Sequence, residues 1–187
     1  ELGDSAGTAK ALDQLLKYYP STDTWVRVLD GYLKTTKHDH ALMALYRLAE
    51  DVGALQDARQ YTDMTQALII AGFGQEAERV MQKGIDASLF AGDEATRAKR
   101  TFDAAKRKAD AERAALPKAA GVLAAAKTGD EMEKVGELYF SAGDYVNASA
   151  ALQKAIAKGG LSDADSAQML LGISQLARFG AVAYVPE

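Results

Sequence analysis

Few residues in this chain have the types and spacing that chemistry requires. His38-Asp39-His40 offers two imidazoles and a carboxylate, which are ligand types that a divalent metal ion accepts. Side chains two positions apart on a helix diverge, and the chain has neither a third histidine nor a cysteine. We therefore predict a turn here, with Asp39 accepting a hydrogen bond at the start of a helix, and no metal site.

Adjacent carboxylates and one glycosylation triplet are the other polar groups of note. Glu50-Asp51 and Asp130-Glu131 lie near predicted helix ends, where solubility explains both pairs and the helix dipole also favours Asp130. Asn147-Ala-Ser149 matches the N-glycosylation triplet, but it falls inside a predicted helix in which Ala148 is a core position. We predict neither catalysis nor glycosylation at these places.

Motifs that mark enzymes are missing from the sequence. It contains no nucleophile elbow, no phosphate-binding loop that ends in Gly-Lys-Ser or Gly-Lys-Thr, and no dinucleotide-binding glycine motif after a strand. Two histidines and no cysteine leave little for acid–base or thiol chemistry. The sequence therefore predicts a protein that is not an enzyme and that uses no cofactor.

The composition favours a single all-helical domain with a substantial core. The chain has 187 residues, 48% of them hydrophobic, with 3 prolines and no cysteine, which excludes a disulfide scaffold. A net charge of −4 argues against binding to nucleic acid. No apolar run approaches the roughly 20 residues of a membrane helix, so we expect no membrane insertion.

One stretch departs from this acidic balance. Asp93–Lys118 holds eight Lys or Arg and five Asp or Glu, and a single aromatic residue, Phe102, gives no aromatic interleaving. We interpret it as the solvated face of a long helix with a narrow apolar seam. Pairs four residues apart are expected to form ion pairs on that face, and they are Lys99–Asp103, Asp103–Arg107, Lys106–Asp110 and Lys108–Glu112. Pro117 should end this helix or open the next one.

Apolar residues recur at helical spacing along almost the whole chain, and Gly, Pro, Asp or Ser interrupt the pattern at helix-length intervals. The pattern predicts about ten helices. Their predicted bounds are Thr8–Tyr19, Asp23–Thr35, Asp39–Val52, Leu55–Ala71, Gln75–Leu89, Asp93–Ala115, Lys118–Lys127, Asp130–Ala142, Tyr145–Lys158 and Asp163–Arg178. Aspartates 39, 93, 130, 144 and 163 are expected to cap helix starts, and glycines 53, 72, 92, 143 and 159 to adopt left-handed caps.

Comparison of the sequence with itself indicates a repeat. The series Tyr61, Met64, Leu68, Gly72, Ala77, Met81, Gly84 matches the series Met132, Val135, Tyr139, Gly143, Ala148, Leu152, Ala155 at an offset of 71 positions, from 61 to 132. A third copy begins at Trp25 and a fourth near Gln168, each 36 positions from its neighbour. The offset of 71 positions is close to two periods of about 34 residues, a period typical of stacked helix pairs.

The best-matched unit contains Gly136-Glu-Leu-Tyr139, Gly143-Asp-Tyr-Val-Asn-Ala148 and Leu152-Gln-Lys-Ala155, and Leu171-Gly172 opens the next one. These residues resemble the tetratricopeptide repeat. The resemblance implies a right-handed α-solenoid in one domain, 1–179. Its expected parts are a half repeat 1–21, repeats at about 22–57, 58–91 and 129–162, an irregular repeat 92–128, a partial repeat 163–179 and a C-terminal tail 180–187.

A wider resemblance is to a proteobacterial group of exported tetratricopeptide proteins of unassigned function. It is carried by motifs such as Tyr18-Tyr-Pro20, Leu42-Met-Ala-Leu-Tyr46, Ala71-Gly-Phe-Gly-Gln-Glu-Ala77 and Ile156-Ala-Lys-Gly-Gly-Leu161. The resemblance implies a periplasmic or envelope location, with the cytoplasm as the alternative. Because the first residue is Glu1 and not Met, we expect a processed form or a fragment.

In such a solenoid the first helix of each repeat lines a concave surface that suits a peptide or protein. The residues expected on that surface are Asp23, Val26, Asp30, Leu33 and Lys34; Arg59, Thr62, Gln66 and Ile69; and Asp130, Glu133, Glu137 and Phe140. We therefore predict a non-catalytic protein-interaction or scaffold module. The alternatives are a self-associating structural module, forming a homo-oligomer through uncapped end repeats, and a helical accessory domain of a larger protein.

Overall fold

The computed structural model describes residues 5–36 and 39–178, and the regular structure of these residues is entirely helical. This confirms the all-α prediction for the described part of the chain. The helices are α1 (Ser5–Tyr18), α2 (Thr22–Thr35), α3 (Asp39–Asp51), α4 (Ala58–Ala71), α5 (Gly74–Asp86), α6 (Gly92–Ala115), α7 (Ala119–Ala125), α8 (Gly129–Ser141), α9 (Tyr145–Lys158) and α10 (Ala164–Arg178). Within the described ranges, no helix is long and apolar enough to cross a membrane.

The chain divides into two compact units, and the division falls inside α4, between Gln60 and Tyr61. Helices α1 to α3 belong to the first unit, and most of α4 with α5 to α10 belongs to the second. In the first unit, Val28 and Leu29 of α2 and Ala49 of α3 are buried. The third copy of the predicted repeat, which begins at Trp25, aligns Tyr32 and Leu48 with residues that are buried in the second unit, but these two side chains are 40% and 38% exposed.

The second unit is built from antiparallel helix pairs. In the pair α4–α5, the Thr65 hydroxyl lies 3.6 Å from the sulfur of Met81. In the pair α8–α9, a Cβ added to Gly136 would lie 2.7 Å from Cγ of Leu152, which is fully buried. The missing side chain of Gly136 therefore permits this close approach of α8 to Leu152 of α9.

The two segments that the 71-position offset aligns bury the same positions. Exposure is 9% or less throughout the set, which comprises Met64, Leu68, Ala77 and Met81 in α4–α5 and Val135, Tyr139, Ala148 and Leu152 in α8–α9. Both hairpins also turn at a glycine with a positive φ, +90° at Gly72 and +78° at Gly143. The aligned residues therefore occupy equivalent places in two helix pairs of one unit.

Most predicted helix ends agree with the structure to within a few residues. The expected left-handed glycines all have a positive φ, and the carboxylates of Asp144 and Asp163 accept the N–H groups of Asn147 and Ser166 at the starts of α9 and α10. Pro117 lies in a single turn of 3-10 helix, Leu116–Lys118, between α6 and α7.

Helices α1 and α4 begin three residues from their predicted starts, and two predicted caps are wrong. Helix α4 begins three residues later than predicted, because Asp57 accepts the N–H of Gln60 and so caps the helix there. Asp93 lies within the first turn of α6, and the residue at the cap position, Ala91, makes no side-chain hydrogen bond. Helix α8 is capped by Thr128 in a reciprocal capping box with Glu131, rather than by Asp130.

Candidate functional site

The predicted concave residues of α2 lie in the first unit and are partly or fully exposed. Lys34 and Asp30 form an ion pair with 2.7 Å between Nζ and Oδ2, and both side chains reach solvent. Asp23 is exposed, whereas Val26 and Leu33 are half-buried. This helix therefore presents a mixed apolar and charged surface in which Asp30 and Lys34 pair with each other.

The predicted residues of α4 follow one side of that helix. Arg59 and Gln66 are exposed, and Thr62 and Ile69 are half-buried. Gln66 corresponds to Glu137 of α8 under the repeat offset, and Glu137 is half-buried. Equivalent positions of α4 and α8 thus carry an exposed amide and a half-buried carboxylate.

Two predicted groove residues of α8 are instead buried. Phe140 is 2% exposed, and its ring packs edge to face on Phe73 and Tyr145, with centroid distances of 6.0 and 5.4 Å. Glu133 is 8% exposed. Neither side chain is therefore accessible to a partner. Phe140 is enclosed by rings from the turn before α5 and from the start of α9.

Asp130 has a structural partner within the unit. Its carboxylate accepts the N–H and the hydroxyl of Ser162, each at 2.7 Å, and so fastens the start of α8 to the loop before α10. The Ser162 hydroxyl, followed by its backbone N–H, lowers the pKa of Asp130. The backbone N–H groups of Lys127 and Thr128 lower the pKa of Glu131 in the same way. These hydrogen bonds favour the charged form of both carboxylates, Glu131 in the capping box of α8 and Asp130 in its contact with Ser162.

The sequence does not predict the role of one carboxylate in the second unit, that of Glu112. Glu112 of α6 accepts the backbone N–H of Gly74 at 2.5 Å on one carboxylate oxygen and that of Gln75 at 2.9 Å on the other. These N–H groups belong to the first turn of α5, where the helix itself supplies no acceptor. Glu112 thus caps a helix that begins 38 residues earlier in the chain.

Ser141, at the end of α8, completes this junction. Its hydroxyl donates to the Glu112 carboxylate at 2.7 Å and accepts the N–H groups of Gln75 and Glu76 at 3.2 and 3.3 Å. Its carbonyl accepts a hydrogen bond from the guanidinium of Arg79 at 2.7 Å. The three helices α5, α6 and α8 therefore meet at one carboxylate and one serine, which we call the three-helix junction.

The Glu112 carboxylate of the junction already occupies the place that an external anion would take at the N-terminus of α5. A local signal for it exists in the sequence. The cap position of α5 is Phe73, which has no side-chain acceptor, so the amides of the first turn require an acceptor from another helix. A Cβ on Gly74 would lie 2.6 Å from the backbone of Lys108, so α6 lies directly against the helix start.

The ion pairs of α6 differ from the four that the sequence predicts. Of those four, only Lys99–Asp103 forms, with 3.5 Å between Nζ and Oδ2. Lys106 and Arg113 pair with Glu78 of α5, and Arg113 also pairs with Asp110 at 2.6 Å. The other three predicted ion pairs do not form. Glu112 accepts from the backbone of α5, Lys106 pairs with Glu78, and Asp103 pairs with Lys99. The pairs concerned are Lys108–Glu112, Lys106–Asp110 and Asp103–Arg107.

An open cavity of about 300 Å³ lies between the end of α5 and the start of α6, at the low end of small-molecule sites. It is lined by Ile85, Phe90, Ala95, Ala98, Lys99 and Phe102. Apart from the ammonium of Lys99, which faces Asp103, this lining is apolar. The cavity has no arrangement of acid, base and nucleophile that could support catalysis.

The remaining sequence motifs form no site among the described residues. The His38–His40 motif falls outside the side chains that the structure describes. Within the described ranges, no three His, Asp or Glu side chains are grouped to hold a metal ion. Asn147 hydrogen-bonds Asp144 and Ser149 is buried in α9, so the glycosylation triplet belongs to a packed helix.

Comparison of the chain with protein-family models, with curated proteins and with solved structures finds no match.

Proposed function

We propose that this protein is a non-catalytic interaction module with tetratricopeptide-like helix pairs stacked as a right-handed solenoid, which binds a peptide or protein along the first helices of its repeats. The observation that carries this proposal is the equivalence of α4–α5 and α8–α9. Both pairs bury the same repeat positions and turn at a positive-φ glycine. Helix pairs of this kind serve as binding platforms because each contributes one helix to a continuous surface.

After removal of the two buried residues, the proposed binding residues are exposed or half-buried positions of the first helices. In the second unit they are centred on Gln66 of α4 and Glu137 of α8. In the first unit they include Asp30 and Lys34 of α2. Carboxylates among apolar and amide side chains favour a partner segment with basic and apolar residues. We propose the bacterial envelope as its location, from the family resemblance alone.

Site-specific photo-crosslinking tests this proposal. A photoreactive amino acid is placed at Gln66 or Glu137, and in a matched control at Lys154, an exposed residue of the second helix α9. We expect specific adducts from the first two positions and none from the third, and we expect a Glu137→Lys change to remove the adduct formed at Gln66. Equal adducts from all three positions, or none from α4 and α8, would refute binding along the first helices.

A second candidate function is self-association. Met169 and Leu176 of α10 are 36% and 55% exposed, and they lie seven residues apart, with half-buried Ile173 between them on the same helix face. Such an apolar stripe favours a helix-to-helix contact between copies. Mass measurement in solution tests it: a dimer that Leu176→Glu dissociates would support this function, and a monomer at micromolar concentration would exclude it.

A further inference from the structure

The cations of α6 fall into two classes, which the pairing in the structure separates. Lys99, Lys106 and Arg113 lie on one flank of the helix, and each is paired with a carboxylate of α5 or α6. The other class pairs with no carboxylate among the residues that the structure describes. It consists of Arg97, Arg100, Arg107 and Lys108, which we call the unpaired cationic stripe.

The central arginines of the stripe lie on the solvent side of α6, and Lys108 lies beside the start of α5. Ala98, Ala105 and Ala109 mark the buried face, with 2% exposure or less. At 100° per residue, Arg100 and Arg107 point away from these alanines. Arg97 and Lys108 lie together on the flank opposite Lys99. Glu94 and Glu112 lie on that flank too, but neither forms an ion pair with the stripe. All four are exposed. Their Cα atoms extend over about 16 Å of helix, at 1.5 Å per residue.

Nearby acids do not neutralise this stripe. Asp103 is paired with Lys99, Asp110 with Arg113, and Glu112 is held in the three-helix junction. Asp93 lies one turn before Arg97, but the two side chains do not form an ion pair. In a chain of net charge −4, the stripe is thus a local concentration of positive charge that the described part of the fold leaves unpaired.

We propose that the unpaired cationic stripe is a second interaction surface, which docks an acidic helical segment of a protein partner. Arginine pairs with carboxylates through two parallel hydrogen bonds, so two central arginines suit a row of Glu or Asp side chains. On the same face as these arginines lie Ala104 and Ala111, whose short side chains leave room for a helix alongside α6. Single-stranded nucleic acid is the poorer occupant, because the stripe has no aromatic residue on which a base could stack.

The test uses a fluorescent alanine-based peptide with glutamates three and four residues apart, a scrambled peptide of the same composition and a single-stranded oligonucleotide of equal charge. Binding to the full chain is followed by anisotropy at low salt. We expect the regular peptide to bind most tightly, and Arg100→Gln with Arg107→Gln to weaken it about tenfold. The matched control, Lys154→Gln with Lys158→Gln on α9, removes the same charge and should leave binding within about twofold.

Other outcomes overturn the proposal. Equal weakening by both double variants would mean that net charge alone attracts the peptide. Tighter binding of the oligonucleotide, lost in the same variant, would assign the stripe to nucleic acid. Glutamine is a good helix former, so circular dichroism should show all variants folded. The first-helix crosslinks at Gln66 are measured separately, so either surface can fail without the other.

Discussion

Replacing Glu112 by alanine removes one carboxylate that three donors share. Gly74 and Gln75 lose the acceptor of their backbone N–H groups, and the Ser141 hydroxyl loses its own. The glutamate is half-buried, and the two residues of α5 that donate to it are buried. The change therefore leaves backbone N–H groups at the buried start of α5 without their carboxylate acceptor.

The expected loss of stability follows from these contacts. A lost helix cap costs about 0.5–2 kcal/mol, and a hydrogen bond to a charged group contributes about 1.5–3 kcal/mol. Gln75 retains the Ser141 oxygen at 3.2 Å, and water reaches part of the site, so the loss is incomplete. We expect Glu112→Ala to lower the free energy of unfolding by about 2 kcal/mol. Glu112→Gln should cost about half as much, because an amide has one acceptor oxygen where the carboxylate has two.

Urea unfolding followed by circular dichroism measures this loss. The matched control is Glu94→Ala, which removes an exposed acid from the first turn of the same helix and should cost a few tenths of a kcal/mol at about the scale of a dipole interaction. Trp25, the only tryptophan, lies in the first unit, so its fluorescence follows that unit separately.

A Glu112→Ala variant within about 0.5 kcal/mol of wild type, which is the scatter of neutral surface changes, would refute the reasoning. It would mean that solvent satisfies the start of α5 as well as the carboxylate does. Equal losses of unfolding free energy for Glu112→Ala and Glu94→Ala would also refute it, because the junction would then contribute no more than an exposed charge.

Two further predictions concern α8. Gly136→Ala should destabilise the second unit by about 1–3 kcal/mol through overpacking, whereas Gly172→Ala, whose added Cβ meets no atom within 4 Å, should be neutral or slightly stabilising in thermal unfolding. The lowered pKa values of Asp130 and Glu131 give stability that is complete above their ordinary values of 3.8 and 4.5 and is lost as pH falls through the lower folded values. Ser162→Ala should raise the pKa of Asp130 in an NMR titration and reduce that acid sensitivity; an unchanged titration curve would contradict the assigned cause.

Features that depend on neighbouring residues in sequence could be predicted here. Apolar spacing located the helices, and the predicted bounds of α9 are those observed. Glycine supplied the left-handed caps because only its lack of a Cβ makes that conformation inexpensive. The buried repeat positions of α4–α5 and α8–α9 were also predictable, because a core face keeps its period whatever partner covers it.

Features that depend on distant residues could not be predicted in this way. Lys108 and Glu112 have ideal spacing for an ion pair, but two buried amides of α5 attract the carboxylate more strongly than an exposed ammonium does. Phe140 occupies a position that the repeat pattern assigns to the concave surface, yet Phe73 and Tyr145 enclose it. Both errors arise because helical spacing fixes the face on which a residue lies but not the element that packs against that face.

The three-helix junction also bears on the order in which the second unit folds. Helix α5 obtains the acceptors for its first turn from positions 37 to 66 residues later in the chain, whereas α8 and α9 are capped by residues within three positions. Contacts between distant residues require the closure of long loops and form late, while local caps form early. We therefore expect α8 and α9 to nucleate this unit and α5 to be completed last, after synthesis of the chain has passed Ser141.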